Sequence, residues 1–196
     1  MRALIVFSTH EGHTEKIADH MATRLRLKGI PADRYNTSDP DAEAVDMGKY
    51  DAIIVGSSMH YSHYDQNLAE YLRRYQGTLR QIPSAFYSVS LGILSDNKSE
   101  QDEIRKITSA YLEETGWDPT MRRHFAGALN YSKYGWFKRH MMQWVVSRAG
   151  SKTNPKYDYE FTDWHKVDEF VDQFVDYLLG TTEPAGDKAT FTALHK

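Results

Sequence analysis

Three short apolar runs, Ala3 to Phe7, Ala52 to Gly56 and Ala85 to Val89, each lead into a longer segment whose apolar residues recur at helical spacing. An uncharged run of this kind, with no polar alternation, fits a strand buried on both faces, which requires a sheet covered by helices on each side. The segments that follow are amphipathic. Thr14, Ile17, Ala18, Met21, Ala22 and Leu25 form one stripe, Leu68, Tyr71, Leu72 and Tyr75 a second, and Ile104, Ile107, Tyr111 and Leu112 a third. Gly29 and Gly116 stand where the first and third stripes stop.

Pro31 to Tyr35 reads as a weaker strand, placed at a sheet edge by its proline. A fifth strand is expected around His124 to Ala128. Tyr157 to Phe161 resumes a strand-like alternation, and Val167, Phe170, Val171, Phe174, Val175 and Leu178 mark a last amphipathic helix. Strands alternating with helices imply right-handed crossovers and parallel pairing. The expected fold is α/β: a flavodoxin-like, doubly wound, five-stranded parallel sheet with a long basic aromatic insertion near the fifth strand. One domain over 1–180 would hold the insertion at about 129–156, and 181–196 would be a polar tail with Pro184 and Gly186.

Composition narrows the chemistry. The 196 residues include no cysteine, which removes disulfides, thiolate metal sites, iron–sulfur clusters and CxxC redox chemistry together. Redox activity would have to reside in a bound cofactor. No apolar run approaches the roughly 20 residues that span a bilayer, and the apolar stretch after Met1 is too short for a secretory signal. A cytosolic, single-domain protein is expected. The net charge of −3 conceals an asymmetry. From Thr120 to Tyr157 stand eight basic residues and no acid, which leaves 16 Lys and Arg against 27 Asp and Glu elsewhere. Such a segment marks a partner-facing surface: an anionic lipid surface, an acidic substrate or nucleic acid.

In a doubly wound sheet the ligand lies beyond the carboxyl ends of the strands, where the strand order reverses. The turn after the first strand reads Ser8, Thr9, His10, Glu11, Gly12, His13, Thr14 and opens a helix. Its hydroxyls can donate to phosphate oxygens, Gly12 lets the backbone come close, and the helix start offers free N–H groups. Neither GxGxxG nor GxxxxGK[ST] is present, and the turn has no lysine to neutralise a polyphosphate. One phosphate held by hydroxyls and amides is what flavin mononucleotide (FMN) requires. An ordinary polar turn with a threonine cap would read the same way. Glu11 is tolerable beside a phosphate only with its carboxylate turned outward and its N–H inward.

After the third strand come Ser57, Ser58, Met59, His60 and Tyr61, followed by Ser62, His63 and Tyr64. Tyrosine and histidine can stack on an isoalloxazine ring, and serines let its edge approach the backbone; a solvated surface turn is the plainer alternative. His60 and His63 lack a third ligand at suitable spacing, so no metal is expected. Ser88, Val89, Ser90, Leu91 and Gly92 would supply the third contact region. From Ala52 to Tyr64 there is no acid, and neutral surroundings tolerate the charge of a reduced ring, which favours two-electron chemistry.

Within the insertion, Trp136, Phe137, His140, Met141, Trp144 and Val145 fall on one helical face, with Lys138, Arg139 and Arg148 largely elsewhere. That pattern suits the boundary between lipid headgroups and acyl chains, or a pocket for a large flat molecule bearing carboxylates. It also suits a helix that caps the domain's own core or a dimer interface in a homo-oligomer. Nucleic acid is disfavoured, because the aromatics cluster on one face and do not interleave with the basic residues.

The chain resembles the flavodoxin-like, quinone-dependent protoporphyrinogen oxidases (dehydrogenases) of bacterial haem biosynthesis. The resemblance runs from about Arg2 to Leu178. It rests on Phe7 to Thr14, Tyr61 to Tyr64, Pro83 to Val89, Ala126 to Tyr131 and Thr162 to Trp164. It implies FMN as cofactor, protoporphyrinogen IX as substrate, a membrane quinone as electron acceptor, and peripheral association with the cytoplasmic face of the inner membrane. Tyr131, Tyr134, Trp136, Lys138, Arg139, Trp144 and Arg148 would meet substrate or membrane. An acid at the Glu11 position is similar to what this family has. A flavodoxin-type electron carrier, an NAD(P)H:quinone reductase of the same fold, and a membrane- or nucleic-acid-binding module without flavin stay open as alternatives. No residue is assigned as catalytic base; His60 and His63 are candidates by location.

Overall fold

A computed structural model of the chain describes residues 1–129 and 159–181. Strands β1 (Ala3–Ser8), β2 (Ala32–Asn36), β3 (Ala52–Ser58), β4 (Ser84–Val89) and β5 (Met121–Phe125) form one sheet in the order β2-β1-β3-β4-β5. Every pairing in it is parallel. Helices α1 (His13–Leu27), α2 (Gln66–Leu79), α3 (Lys98–Thr115) and α4 (Trp164–Leu178) cover the sheet. A two-residue antiparallel pair, β6 (Ala128–Leu129) with β7 (Tyr159–Glu160), forms a second small sheet.

The period-two alternation along each strand divides the core. Ala3, Ile5, Phe7, Ile54 and Tyr87 face one side, where the stripes of α1 and α4 close over them. Leu4, Val6, Ile53, Val55 and Phe86 face the other, under α2 and α3. All six residues of β1 and all seven of β3 are buried, so both faces demand apolar side chains at once. Full burial of one such side chain stabilises by roughly 1.5–3 kcal/mol, which is why the central runs carry no charge. Among the described residues, no helix is long and apolar enough to cross a membrane.

The edges behave differently from the centre. β2 lies at one edge, as its leading proline predicts. β5, at the other edge, starts at Met121, ahead of the expected His124, and ends at Phe125. Arg122, Arg123 and His124 fill its middle, only partly buried; charge on an edge strand discourages pairing with another chain, and here it hides the apolar pattern. The strand expected over Tyr157 to Phe161 is shorter, and its partner is β6. Helix α4 begins before its first core residue, Val167, because the Asp163 carboxylate accepts from the Lys166 N–H and caps it. Gly116, at φ 68°, ends α3 in the left-handed conformation expected of a glycine stop.

Candidate functional site

Strand order reverses between β1 and β3, and the turns leaving β1, β3 and β4 enclose a cleft of about 350 Å³. From the first turn, Thr9, Glu11, His13 and Thr14 line it. Gly12 is the N-cap of α1, at φ 87°, and no side chain caps the helix. A β-carbon on Gly12 would meet nothing within 4 Å, so the glycine is required by backbone conformation and not by space. Its N–H donates to Thr9 Oγ1 at 2.9 Å, and the first intrahelical bond runs from Lys16 N–H to the Gly12 carbonyl. The amides of His13, Thr14 and Glu15 therefore have no acceptor within the helix. The Thr14 hydroxyl is buried with no hydrogen-bond partner.

This first helical turn is anchored from below. Tyr87, fully buried, donates its hydroxyl to the Thr14 carbonyl at 3.1 Å. Its ring lies across Gly56, where a β-carbon would sit 1.9 Å from a ring carbon. Glycine at position 56 thus makes room for the tyrosine that holds the helix start.

The second turn supplies Ser58, Met59, His60, Tyr61 and Ser62 to the lining. His60 and His63 exchange two backbone hydrogen bonds of 2.9 Å each. The two residues between them, Tyr61 at φ 48° and Ser62 at φ 64°, are both left-handed without being glycine, as a tight hairpin turn with φ > 0 at both central positions demands. Met59 N–H donates to the Val89 carbonyl, joining this turn to the end of β4. Tyr61, at the tip, is 67% exposed. The third turn contributes Val89, Ser90, Leu91 and Gly92. The hydroxyls of Ser58 and Ser90, like that of Thr14, are buried and unpartnered.

Several residues expected at the site lie beneath it. Ser8 and Ser57 bond each other at 2.8 Å, fully buried, and Ser88 accepts from the Tyr64 hydroxyl at 2.7 Å. His10 stands at the rim with its ring 4.5 Å from that of His60. Conversely Ser62, Ile104, Gly127 and Ala128 line the cleft without having been singled out as site residues. Ile104 belongs to the core stripe of α3 and extends into the cleft. Gly127 and Ala128 were expected inside β5; once the strand ends at Phe125 they become the residues just after it, where such folds place their ligands. Tyr131, Tyr134, Trp136, Lys138, Arg139, Trp144 and Arg148 lie outside the described residues, as do the rest of the insertion from 130 to 158 and the tail from 182.

Among the described lining residues there is no lysine or arginine. The two histidines are not cations near neutrality either. Burial holds His13 below its ordinary pKa, with Lys16 acting the same way and Glu160 opposing. Thr162 donates its one hydroxyl hydrogen to the Ala126 carbonyl at 2.7 Å, so it accepts from His13 Nε2, 2.6 Å away, and Nε2 carries the proton. His60 is lowered by burial and by His10, against a raising influence from Glu11. No group of three or more His, Asp or Glu suited to a metal occurs among the described residues. What remains is a cleft without lysine or arginine among its described lining residues and with one acid, Glu11, rich in donors at one turn and in aromatic and apolar groups at the others.

The flavodoxin domain family profile matches residues 4–156. Over 171 residues the chain is 32% identical to protoporphyrinogen IX dehydrogenase (quinone) of Escherichia coli K12, covering 87% of this chain and 93% of that one. It is 28% identical over 174 residues to the protein of the same name from Leishmania major, covering 88% of this chain and 74% of the relative. Oxidised flavodoxin 2 of Bacillus cereus superposes with a TM-score of 0.52 at 16% identity, over 90% of this chain and 99% of that one, a likeness of fold. The sheet order, the cleft at its reversal and these relatives agree: the chain belongs to the flavodoxin-domain family and, within it, groups with the quinone-dependent protoporphyrinogen IX dehydrogenases.

Proposed function

We propose that the protein is an FMN-dependent oxidoreductase that converts protoporphyrinogen IX to protoporphyrin IX with a quinone as electron acceptor. The likeness to the E. coli enzyme over nearly its whole length carries the substrate assignment. The donor set supports the cofactor: three cleft-lining residues carry buried, unpartnered hydroxyls, and the start of α1 beside them is uncapped. A phosphate monoester would satisfy Thr14 and the first amides of α1, with Thr9 and His13 beside it, while Gly12 gives the turn its shape. Ser58 to Tyr61 and Ser90 to Gly92 would frame the ring. Ser8, Ser57 and Ser88 support this arrangement from below. Bound there, FMN supplies a ring that takes up two electrons from one partner and gives them to another.

The absence of lysine and arginine from the described lining fits a single phosphate better than the diphosphate of a pyridine dinucleotide. A quinone resides in the bilayer, and no described helix crosses one. Peripheral contact with an anionic membrane, at the cytoplasmic face of the inner membrane, gives the site access to it. The basic aromatic segment leaves and rejoins the described chain at β6 and β7, beside the cleft-lining Gly127 and Ala128. Its basic and aromatic composition suits a large dianionic tetrapyrrole or a lipid surface. The test is reconstitution with FMN followed by porphyrin fluorescence in the presence of a quinone. A yellow protein that produces porphyrin supports the reading; bound flavin without turnover overturns the substrate, and failure to bind FMN overturns the cofactor.

A further inference from the structure

Oxidising one methylene bridge of a porphyrinogen removes a hydride from the carbon, with its electron pair, and a proton from the adjoining pyrrole nitrogen. FMN, held in the cleft as proposed above, would accept the hydride. The proton needs an acceptor, and a titratable side chain lining the cleft can supply one. Four titratable side chains line the described cleft: Glu11, His13, His60 and Tyr61. His13, tied to Thr162 through Nε2, and Glu11 both belong to the turn proposed above to hold the phosphate, away from the ring. Tyr61 is at the exposed tip. His60 alone is half-buried on the ring side of the cleft, and its backbone is fixed at both ends of a tight turn.

We infer that His60 is the base that receives the pyrrole proton, and that the rim histidine His10, whose ring is tilted against it, positions it and hands the proton to solvent. This rests on the function proposed above. His63, the other candidate by location, is exposed and outside the lining; it meets His60 through backbone bonds only. His10 is exposed, and its ring is 4.5 Å from that of His60, so a proton reaching His60 has a short route out. The groups facing His60 are His10 and Glu11 from the first turn and the His63 backbone across its own turn. Burial and His10 outweigh Glu11, so His60 is neutral at the outset and free to accept.

The experiment uses FMN-loaded full-length protein, protoporphyrinogen IX and a soluble quinone, with FMN affinity read separately by flavin fluorescence. H60Q should lower kcat about 100-fold while FMN affinity stays within about threefold. H60A should regain activity at least tenfold with added imidazole, which a merely structural role would not allow. H10Q should move the acid limb of kcat/KM to higher pH, because it removes an influence that lowers His60. H63Q should match the unmodified protein. Turnover by H60Q equal to the parent's, or loss of FMN binding in H60Q without imidazole rescue of H60A, overturns this inference alone. A yellow parent protein that makes no porphyrin overturns the function reading and this inference together.

Discussion

The two turns that share the cleft reach the left-handed backbone by opposite means. The turn after β1, proposed above as the phosphate turn, uses a glycine, Gly12, with no side chain to strain and empty space where a β-carbon would sit. The turn after β3, proposed as the ring turn, uses Tyr61 and Ser62, which are held at positive φ by the paired His60 and His63 backbone bonds. A left-handed L-residue costs about 1–2 kcal/mol, so the second turn holds strain that the first avoids. A strained backbone kept at a site where its side chains are needed is a common feature of ligand clamps. Here the side chains gained are an exposed aromatic ring and a hydroxyl on the cleft wall.

Breaking the anchor beneath the start of α1 should have the largest effect. Gly56→Ala drives a β-carbon into the Tyr87 ring, which is fully buried and pinned to the Thr14 carbonyl. About 3 kcal/mol of stability should be lost, read as a lower urea midpoint, with FMN affinity falling alongside. Gly12→Ala tests the phosphate turn alone: about 1 kcal/mol less stable, and FMN bound about tenfold more weakly because the amides are re-aimed. Ser62→Gly should go the other way, about 0.5 kcal/mol more stable, since relief of strain exceeds the entropy that glycine adds to the unfolded chain. Equal signs for these two glycine exchanges would remove the contrast between the turns.

The smallest effect is a pH dependence shared by both. His13 and His60 each have a folded pKa below the ordinary 6.5. The unfolded chain therefore takes up protons first as pH falls below that value, and the flavin-free protein should lose stability there. Thermal melts between pH 7 and pH 5.5 should show a declining Tm. H13Q should flatten that decline, and an unchanged slope would place the dependence elsewhere.

The centre of the sheet is legible in the sequence because burial on both faces leaves strands no choice of residue; β1, β3 and β4 need no context to be read. In the turn after β1, Gly12 stands at the left-handed N-cap and Thr9 and Thr14 line the cleft, so that the turn's shape and position are legible too. The edge strand β5 is harder, since Arg122 and Arg123 occupy positions where a central strand would be apolar, and a strand placed too far along the chain hides Gly127 and Ala128, which line the cleft. Hydroxyl direction is not written in the sequence either. Ser8 and Ser58 look alike as letters, yet the hydroxyl of one is paired beneath the floor while that of the other, on a cleft-lining residue, is buried and unpartnered. The strained pair Tyr61 and Ser62 gave no cue, because neither residue type favours positive φ.

The β6–β7 ladder sets Leu129 opposite Tyr159 in antiparallel register, with Phe161 N–H bonded to the Gly127 carbonyl behind it. That is the geometry of a hairpin whose ends already meet. Whatever lies between residues 129 and 159 is thus spliced in at a closed stem, and closing such a loop costs an entropy that rises only slowly with its length. Relatives of this chain could lengthen, shorten or exchange that stretch, and with it the molecules they accept, while the sheet and its cofactor cleft go on folding as before.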